Sequence, residues 1–290
     1  MLFDLLSSMI NCTRKQKAHP APVPAGDKRS LHFRNCPEAL FFMRRNLHLL
    51  EAESEQIKII YKDEELVAVH KPSGMPVHRG GRESASCTAL LQTLRDMLGR
   101  HVYPVHRLDR PTSGILVMAL TPEAASNLGG QFRRHEVDKA YLALVRGQIP
   151  LRGVLSRFLR PEDEKNGLLR FSITRYHRAD CVEIPVPMGR VPSRCYSLVE
   201  LHPETGRSRQ IRRHLKSFSH PIIGDTTYGD GRHNRFFREA FDCQRLMLAA
   251  TLISFLHPHS GHRLHLSVPP SADFCRVLVQ LGMEADWAQD

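Results

Sequence analysis

The stretch HRLDRPTSG, residues 106–114, places one carboxylate between two cations. Asp109 follows Arg107 by two positions and directly precedes Arg110. Neighbouring positive charge favours the ionised form of a carboxylate. An ionised carboxylate can act as a nucleophile or stabilise a positive charge, and it is poorly suited to donating a proton. The structural alternative is a turn aspartate that caps the loop before the following proline and glycine.

Two other chemistries fit this stretch only in part. The letters HRLD are close to the H-R-D loop of protein kinases, but the chain lacks the downstream Asn and D-F-G, and no G-x-G-x-x-G precedes it. A metal site needs several converging ligands, and His106 is the only one near Asp109. The sequence therefore predicts neither a kinase nor a metal site here.

The second cluster of charged residues is GRSRQIRRH, residues 206–214, with four arginines in seven positions. If residue 208 onward is helical, Arg209 and Arg213 share one face through i, i+4 spacing, and Arg212 points elsewhere. A solvated basic face is one interpretation, and in so basic a chain a helix that contacts phosphates is favoured. Arg212 is then free to face inward, toward a buried carboxylate.

A third candidate is the tyrosine of KAYLALV, residues 139–145. In a strand, Tyr141 lies on the same side as Lys139 and Ala143. A tyrosine in a strand usually has a structural role. If Tyr141 faces a cleft, its ring can stack on a base and its hydroxyl can move a proton.

Other polar clusters carry weaker signals. The stretch HPHSGHRLH, residues 257–265, holds four histidines around a turn but no acidic or cysteine partner, so zinc is not predicted. The loops HRGGRE and GDTTYGDG contain no P-loop pattern. A glycosidase or nuclease needs a second carboxylate near Asp109. Asp225 and Asp230 are candidates, but their Gly-Asp turns are more typical of loop structure.

The remaining sequence supplies elements that could position these residues. Apolar periodicity and turn residues predict many strands with interspersed helices but no regular βαβ alternation. This pattern indicates an α+β fold with a central mixed, mostly antiparallel sheet and flanking helices. The predicted elements are a hairpin over 57–72, helices over 86–98, 122–134 (with Thr121 as N-cap), 208–218 and 271–282, strands over 101–109, 114–120, 139–148 and 196–203, and a hairpin over 246–269.

Composition narrows the partner and the compartment. The 290 residues carry a formal charge of +11, which favours anionic partners, nucleic acid first and acidic membranes second. The seven cysteines are odd in number, scattered and without C-x-x-C, so a reducing compartment is expected. The longest apolar run, 246–256, is too short for a membrane span, and no secretory signal is recognised. We expect a cytoplasmic protein.

The first part of the chain differs from the rest. The stretch RKQKAHPAPVPAGDKRS, residues 14–30, is a Pro/Ala/Lys linker without a periodic apolar face. We therefore predict that residues 1–54 form a poorly ordered N-terminal extension. Residues 55–290 are predicted to form the catalytic domain.

Five separated stretches resemble, in order, the motifs of the RluA-type RNA pseudouridine synthases. The resemblance covers about 57–282 and implies an α+β fold whose mostly antiparallel sheet is crossed by an RNA-binding cleft. GDGRHNR and PVPMGRVPSRCYSLVELHP further resemble a subgroup that modifies uridine 65 of certain tRNAs. The five stretches are HKPSGMPVHRG (70–80), HRLDRPTSGILVMAL (106–120), KAYLALVRG (139–147), ETGRSRQIRRHL (204–215) and HPIIGDTTYGDGRHNR (220–235).

The resemblance implies roles for individual residues. Asp109 would be catalytic, either attacking C1′ of the target uridine or removing a proton from C2′, before the uracil turns and rejoins the ribose through C5. Tyr141 would stack on the uracil and help to remove the C5 proton. Arg212 would pair with Asp109, and Ile211 would form an apolar wall. The target nucleotide must be flipped out, because its reacting atoms are out of reach in a stacked helix. Arg107 would fill the gap that the flipped nucleotide leaves.

The same resemblance implies how the substrate is bound. His106, Arg110, Arg209 and Arg213 are expected to contact the RNA, with tRNA the expected substrate. Phosphate contacts should make binding strongly dependent on salt. No metal and no organic cofactor are expected, and neither is a membrane partner. We expect a monomer.

Other functions stay open at this stage. A synthase of the same family acting on ribosomal RNA is one, because the core motifs suit any uridine. A non-catalytic RNA-binding protein is another, although Asp109, Tyr141 and Arg212 are all present. Residues 1–54 have no counterpart in the subgroup, and the stretch 161–175 is hard to match.

Overall fold

The computed structural model describes residues 57–78, 89–161, 167–188 and 191–283. Ten strands and five helices lie within these ranges. The strands are β1 (Lys58–Lys62), β2 (Leu66–Lys71), β3 (Tyr103–Pro104), β4 (Ser113–Ala119), β5 (Asp138–Arg146), β6 (Arg152–Leu159), β7 (Arg170–Met188), β8 (Val191–Pro203), β9 (Leu248–Leu256) and β10 (Arg263–Ser267). The helices are α1 (Leu90–Leu98), α2 (Pro122–Arg133), α3 (Gln210–Ser217), α4 (Gly231–Phe241) and α5 (Ala272–Gln280).

All ten strands belong to one sheet. Its order is β1-β2-β4-β9-β5-β8-β7-β6, with β10 paired to β9 and β3 paired to β4. Every pairing is antiparallel except that of β4 with β9, which is parallel. The described residues therefore confirm the predicted α+β class with a mixed, mostly antiparallel sheet.

The central strands are apolar because both faces of the sheet are covered. In β2, Leu66 and Ala68 pack with α2 on one face, whereas Val67 and Val69 pack with α1 on the other. Alternate residues of a strand point to opposite faces, so each such run supplies two cores. A third core lies under α3, α4 and α5, where Phe237 is fully buried.

The parallel contact of β4 with β9 brings two backbones unusually close. Gly114 has a φ of +110°, and a Cβ at this position would lie 2.0 Å from the carbonyl oxygen of Ala250. Only glycine combines this dihedral angle with so close an approach. The glycine of HRLDRPTSG therefore fixes where the Asp109 loop enters the sheet.

Several predicted boundaries are confirmed and others are corrected. Thr121 caps α2 by accepting a hydrogen bond from the backbone N–H of Ala124 at 3.2 Å. The strand expected over 101–109 is reduced to Tyr103–Pro104, since Pro104 has no N–H to extend the ladder. The helix expected from residue 208 begins at Gln210, because Arg209 has a left-handed φ of 50°.

Some predictions fall outside the described residues. These are the N-terminal extension 1–54 and the first turn of the helix expected from residue 86. None of the described helices is long and apolar enough to cross a membrane. Within the same ranges, no three His, Cys, Asp or Glu side chains are grouped as a metal site.

Candidate active site

Asp109 and Arg212, which are 103 residues apart in sequence, are in direct contact. Nη1 of Arg212 donates a hydrogen bond to Oδ2 of Asp109 at 3.1 Å. The side chain of Arg212 is 5% exposed and that of Asp109 is 19% exposed, so water screens the pair only weakly. Arg212 lies in the first turn of α3 and points inward, as the sequence predicts.

A second carboxylate, Asp225, holds the other side of the same guanidinium. Nε and Nη2 of Arg212 donate to the two oxygens of Asp225 at 2.7 and 2.8 Å. Oδ1 of Asp225 also accepts the backbone N–H groups of Thr227 and Tyr228, both at 2.9 Å. Burial opposes the charge of Asp225, but these hydrogen bonds hold the pKa of its carboxyl below the usual range. The bidentate pair fixes the plane of the guanidinium.

The charge of Arg212 is stabilised by this arrangement. Burial alone would weaken the charged form, yet the contacts with Asp225 and then Asp109 raise the pKa of the guanidinium above its ordinary value. Its Cζ also lies 5.3 Å from the centre of the Tyr228 ring, within the range of a cation–π contact. Arg212 is therefore a permanently charged partner for Asp109.

The loop that carries Asp109 is fastened by the loop that follows β2. Nζ of the fully buried Lys71 donates to the carbonyls of Pro72, Met75 and Arg110 at 2.8, 2.9 and 3.0 Å. The backbone N–H of Gly74 donates to the same Arg110 carbonyl at 2.9 Å. Together these contacts fix the backbone on the C-terminal side of Asp109.

Several influences act in opposite directions on the pKa of Lys71. Burial, and then the charge of Arg245, lower the pKa of its amine to about 7, while the charge of Asp109 acts in the opposite direction. Three carbonyl acceptors match the three N–H groups of an ammonium, which stabilises the protonated form. Lys71 therefore holds the loop through hydrogen bonds to the backbone.

Tyr141 enters the site from β5, in the middle of the sheet. Its neighbours across the sheet are Leu201 on β8 and Ala250 on β9, and Ala250 also pairs with Gly114. Burial, and then the negative charge of Asp109, raise the pKa of the Tyr141 hydroxyl well above its usual range. Tyr141 also packs against the core cluster that contains Leu108 and Ala250, so it lies on the side of the sheet that carries the Asp109 loop.

Strand β9 has one extra residue, Thr251, where it pairs with Ala140 and Tyr141 of β5. The register of β5 against β9 shifts between Ala140 and Tyr141. Such bulges change the direction of a side chain and often occur next to active sites. The extra residue lies on β9, so the alternation of side chains along β5 is kept at Tyr141.

The other residues of the α3 motif divide into core and surface. Ile211 is 7% exposed and belongs to the core under α3, consistent with an apolar wall. Arg213 is partly exposed, and its Nη1 donates to the carbonyl of Arg160 at 2.9 Å. Arg209 is exposed and precedes the helix. The prediction that it shares a helical face with Arg213 is therefore wrong.

The residues beside Asp109 also separate. Arg107 and Arg110 are exposed, and Nε of Arg110 donates to the carbonyl of Gly74 at 3.0 Å. Nε2 of His106 accepts the backbone N–H of Val117 at 2.9 Å, and its ring stacks on Phe132 at 4.6 Å. These contacts favour a structural role for His106 over contact with the substrate.

The histidines of residues 257–265 have a structural arrangement. Nδ1 of His257 accepts the backbone N–H groups of His259 and Ser260 at 3.2 Å. Its Nε2 is therefore the donor toward Asp63, at 2.8 Å. This contact joins the β9–β10 turn to the β1–β2 turn.

Two residues of the site were not selected from the sequence. Asp225 was recognised as a carboxylate but interpreted as part of a Gly-Asp turn, because its distance from Arg212 is invisible in sequence. Lys71 stands at the end of an apolar strand, LVAVHK, where a buried cation is unexpected. The lysine at the end of this apolar run was the signal that the sequence offered.

Known proteins are similar to this chain over the region that contains Asp109, Tyr141 and Arg212. The sequence profile of the family described as "RNA pseudouridylate synthase" matches residues 65–217, which include Asp109, Tyr141 and Arg212. The "tRNA pseudouridine synthase C" of Vibrio cholerae serotype O1 is 46% identical over 216 residues, which cover 72% of this chain and 88% of that protein. The protein of the same name from Pectobacterium carotovorum is 44% identical over 239 residues, which are 80% of this chain and 64% of its own length.

Solved structures show the same fold. Human RNA Pseudouridylate Synthase Domain Containing 1 aligns with a TM-score of 0.59 at 26% identity, over 75% of this chain and 84% of its own. Human RNA Pseudouridylate Synthase Domain Containing 4 aligns with a TM-score of 0.61 at 24% identity, over 84% of this chain and 99% of its own, and supports the fold alone. The extent of the profile match and the identity to the bacterial relatives show that the chain belongs to the RNA pseudouridylate synthase family.

Proposed function

We propose that this protein isomerises uridine to pseudouridine in tRNA, at uridine 65. The observation that carries the proposal is the partly buried contact between Asp109 and Arg212. Tyr141 lies beside Ala250, which also pairs with Gly114 at the end of the Asp109 loop. The bacterial relatives that align with most of this chain are named tRNA pseudouridine synthase C, which supports tRNA as the substrate. The assignment of position 65 rests on the subgroup resemblance.

The reaction exchanges one ribose–uracil bond for another. In the first route, an oxygen of Asp109 attacks C1′, and the electrons of the N1–C1′ bond leave with the uracil. The released uracil turns, C5 attacks C1′, and the Asp109 carboxylate is displaced. N1 then gains a proton, C5 loses one, and no oxidant or reductant is needed. In the second route, Asp109 removes a proton from C2′, and a C1′=C2′ double bond forms as the N1–C1′ bond breaks and the uracil leaves. The proton returns to C2′ when C5 bonds to C1′, and C5 then loses its own proton while N1 gains one.

Arg212 serves both routes as a fixed counter-charge. Its two bonds to Asp225 hold the guanidinium in place, and its remaining Nη1 meets Asp109. A preorganised charge of this kind requires little reorganisation during the reaction. Arg212 therefore orients the Asp109 carboxylate toward the ribose.

Tyr141 is assigned to the final proton transfer from C5. Because its pKa is raised by burial, the residue is a neutral phenol at neutral pH. A neutral phenol can take a proton only if it passes its own proton on in the same step. We therefore assign the Tyr141 hydroxyl as a relay and its ring as a stacking surface for the uracil.

The substrate must leave its helical stack to reach these groups. C1′ and C5 of a stacked uridine are inaccessible, so the nucleotide has to be flipped out. The exposed side chain of Arg107 is available to occupy the gap, and Arg110, Arg209 and Arg213 are proposed to contact the RNA backbone. The net charge of +11 supports binding to a polyanion.

The wider setting follows from the same proposal. We propose that the protein is cytoplasmic, which is supported by the odd number of scattered cysteines and by the tRNA substrate. We also propose that it is a monomer. Residues 55–290 are proposed as the catalytic domain, which agrees with the profile match at 65–217. Residues 1–54 are proposed as an extension outside it.

The decisive experiment is pseudouridine formation by purified protein on a tRNA transcript. A transcript with uridine at position 65 should gain one pseudouridine there, and a matched transcript with cytidine at 65 should gain none. Modification at another tRNA position would contradict position 65 alone. Modification of ribosomal RNA but not tRNA would replace the substrate. Tight RNA binding without either product would favour a non-catalytic protein.

A further inference from the structure

A shallow groove lies between the end of β6 and α3. Its volume is about 300 Å³. Arg157 and Arg160 line it from the strand side, and Arg213 and Lys216 line it from the helix side. None of the described residues that line the groove is acidic. The groove therefore concentrates positive charge along one line of the surface.

Two of the four cations of this groove, Arg157 and Arg213, are held by hydrogen bonds to the protein. Nη1 of Arg213 donates to the carbonyl of Arg160 at 2.9 Å. Nη1 of Arg157 donates to the hydroxyl of Ser217 on α3. The chain between β6 and β7, residues 162–166, lies outside the described residues, and its letters are EDEKN.

The groove leads to the proposed active site. Tyr228 is one of the residues that line the groove, and its ring centre lies 5.3 Å from Cζ of Arg212. Arg212 in turn contacts Asp109 at 3.1 Å. A strand of RNA that lies in the groove would therefore pass one aromatic ring away from the catalytic ion pair.

An exposed aromatic pair adjoins the basic side chains. Phe158, which lines the groove, is 59% exposed, and Phe171 opposite it on β7 is 47% exposed. Their ring centres are 5.1 Å apart. Large exposed aromatic residues among arginines are typical of surfaces that stack unpaired bases and bind phosphates.

We propose that this groove binds the RNA strand next to the flipped nucleotide, with phosphates at Arg157, Arg160, Arg213 and Lys216 and an unpaired base on Phe158. The proposal rests on the proposed function, since it assigns a binding surface for the same RNA substrate. It adds β6 and the start of β7 to the substrate surface. It also gives a function to a hairpin whose outer residues contribute little to the core.

The test compares two double variants by their affinity for a tRNA transcript. Arg160→Gln/Lys216→Gln removes two groove charges and leaves the carbonyl of residue 160 in place for Arg213. The matched control, Lys62→Gln/Arg133→Gln, removes two exposed charges, one of them on β1 at the opposite edge of the sheet. Thermal unfolding of both variants checks that the fold is retained.

Salt titration gives the expected difference. At about 0.1 M salt the groove variant should bind roughly tenfold more weakly, and the slope of log Kd against log salt should fall by about 1.4 to 1.8 for two lost phosphate contacts. The control should keep the wild-type slope. Equal affinities and equal salt slopes for the two double variants would overturn the proposal that the groove binds RNA.

A separate variant tests the base contact. Phe158→Ala should raise Kd about fivefold or more without changing the salt slope, because stacking is not a charge contact. An unchanged Kd would overturn the stacking contact. The same transcript is assayed for pseudouridine with the wild-type protein, and absence of product there contradicts the proposed function whatever the groove variants show.

Discussion

Arg212 gives two of its guanidinium nitrogens to Asp225 and one to Asp109. The bonds to Asp225 are 2.7 and 2.8 Å long, whereas the contact with Asp109 is 3.1 Å. Asp225 therefore fixes the position of Arg212, and Asp109 contacts a cation that is already in place. We therefore propose separable roles for the two carboxylates, with Asp225 holding the site together and Asp109 taking part in the reaction.

Replacing Asp109 should stop the reaction while leaving the fold largely intact. In Asp109→Ala, Arg212 keeps both bonds to Asp225, so no buried cation is left without a counter-ion. We expect the rate to fall by roughly 10³-fold or more, as for loss of a nucleophile. Tritium release from tRNA labelled at C5 of uridine measures the rate, and filter binding measures the affinity.

Asp109→Asn is the matched control for shape. It removes the charge but keeps the size of the side chain, and it should be nearly as inactive as the alanine variant. The affinity for tRNA should stay within about threefold of wild type, because phosphates elsewhere supply most of the binding. Substantial turnover by either variant would exclude Asp109 as the catalytic group.

Replacing Asp225 should instead destabilise the protein. Asp225→Ala leaves the buried Arg212 with a single counter-ion and removes the acceptor of two backbone N–H groups. Removing one partner of a buried ion pair costs about 3 to 5 kcal/mol of the free energy of unfolding. Urea unfolding of Asp225→Ala and Asp109→Ala, side by side, measures the difference. Equal losses in the two variants would contradict the distinct holding role of Asp225.

The hydroxyl of Tyr141 should matter for proton transfer and not for binding. Tyr141→Phe keeps the ring, so the affinity for tRNA should be unchanged. The single-turnover rate should fall by about 10² or more, the usual contribution of a positioned proton-transfer group. Full activity of the phenylalanine variant would show that another group takes the C5 proton.

The pH profile offers a second test of Tyr141. Burial and the charge of Asp109 raise the pKa of its hydroxyl above the usual range, so the phenol stays neutral across the working range of the enzyme. The wild-type rate should therefore show no rise that belongs to ionisation of Tyr141 below about pH 10. Such a rise, if it disappears in Tyr141→Phe, would contradict the relay.

Acid should weaken the fold through His106. Its Nε2 accepts the N–H of Val117, which only the unprotonated nitrogen can do. Burial, and then the charge of Lys139, lower its pKa to about 3. The unfolded chain, with a pKa near 6.5, therefore binds the proton first, and stability is lost as pH falls from about 6.5 toward 3. Between pH 6.5 and 5 the loss should be about 2 kcal/mol.

His106→Gln separates this effect from other titrating groups. Glutamine does not titrate and its carbonyl can still accept a hydrogen bond. The difference in the free energy of unfolding between wild type and variant should therefore shift against the wild type as pH falls. Parallel stability curves for the two proteins between pH 7 and 5 would contradict the unprotonated state of His106 in the folded protein.

Much of the sheet could be predicted from local sequence. The apolar runs of β2, β4, β5 and β9 are long enough and regular enough to identify strands, and Thr121 with Pro122 identifies the start of α2. These features depend on residues that are adjacent in the chain. The contact of Asp109 with Arg212 spans 103 residues, and only the family resemblance anticipated it.

The start of β7 could not be predicted, although the strand over 196–203 in β8 was, because buried polar and exposed apolar residues alternate there. Ser172 and Thr174 are buried, where they contact His214 at 2.9 and 3.0 Å. Phe171, which pairs with Phe158 near the end of β6, is exposed. A prediction that places the apolar side chains in the core therefore assigns the wrong face of this strand to the core. The exposed aromatic residue makes sense only when the neighbouring basic groove is known.

The start of α3 shows a similar limit. Periodicity placed Arg209 in the helix, but its backbone adopts a left-handed conformation. Gln210 stabilises this entry, since its Oε1 accepts the backbone N–H of Arg207 at 3.1 Å and the hydroxyl of Thr205 at 2.6 Å. Such side-chain contacts determine a boundary that hydrophobic spacing alone does not.

The most direct test is pseudouridine mapping of tRNA from cells that lack the gene and carry either the wild-type protein or Asp109→Ala. The account predicts that one tRNA uridine, at position 65, loses its modification in the deletion. The wild-type protein should restore it, and Asp109→Ala, expressed at the same level, should not. Restoration by the alanine variant would contradict the role of Asp109 in the reaction.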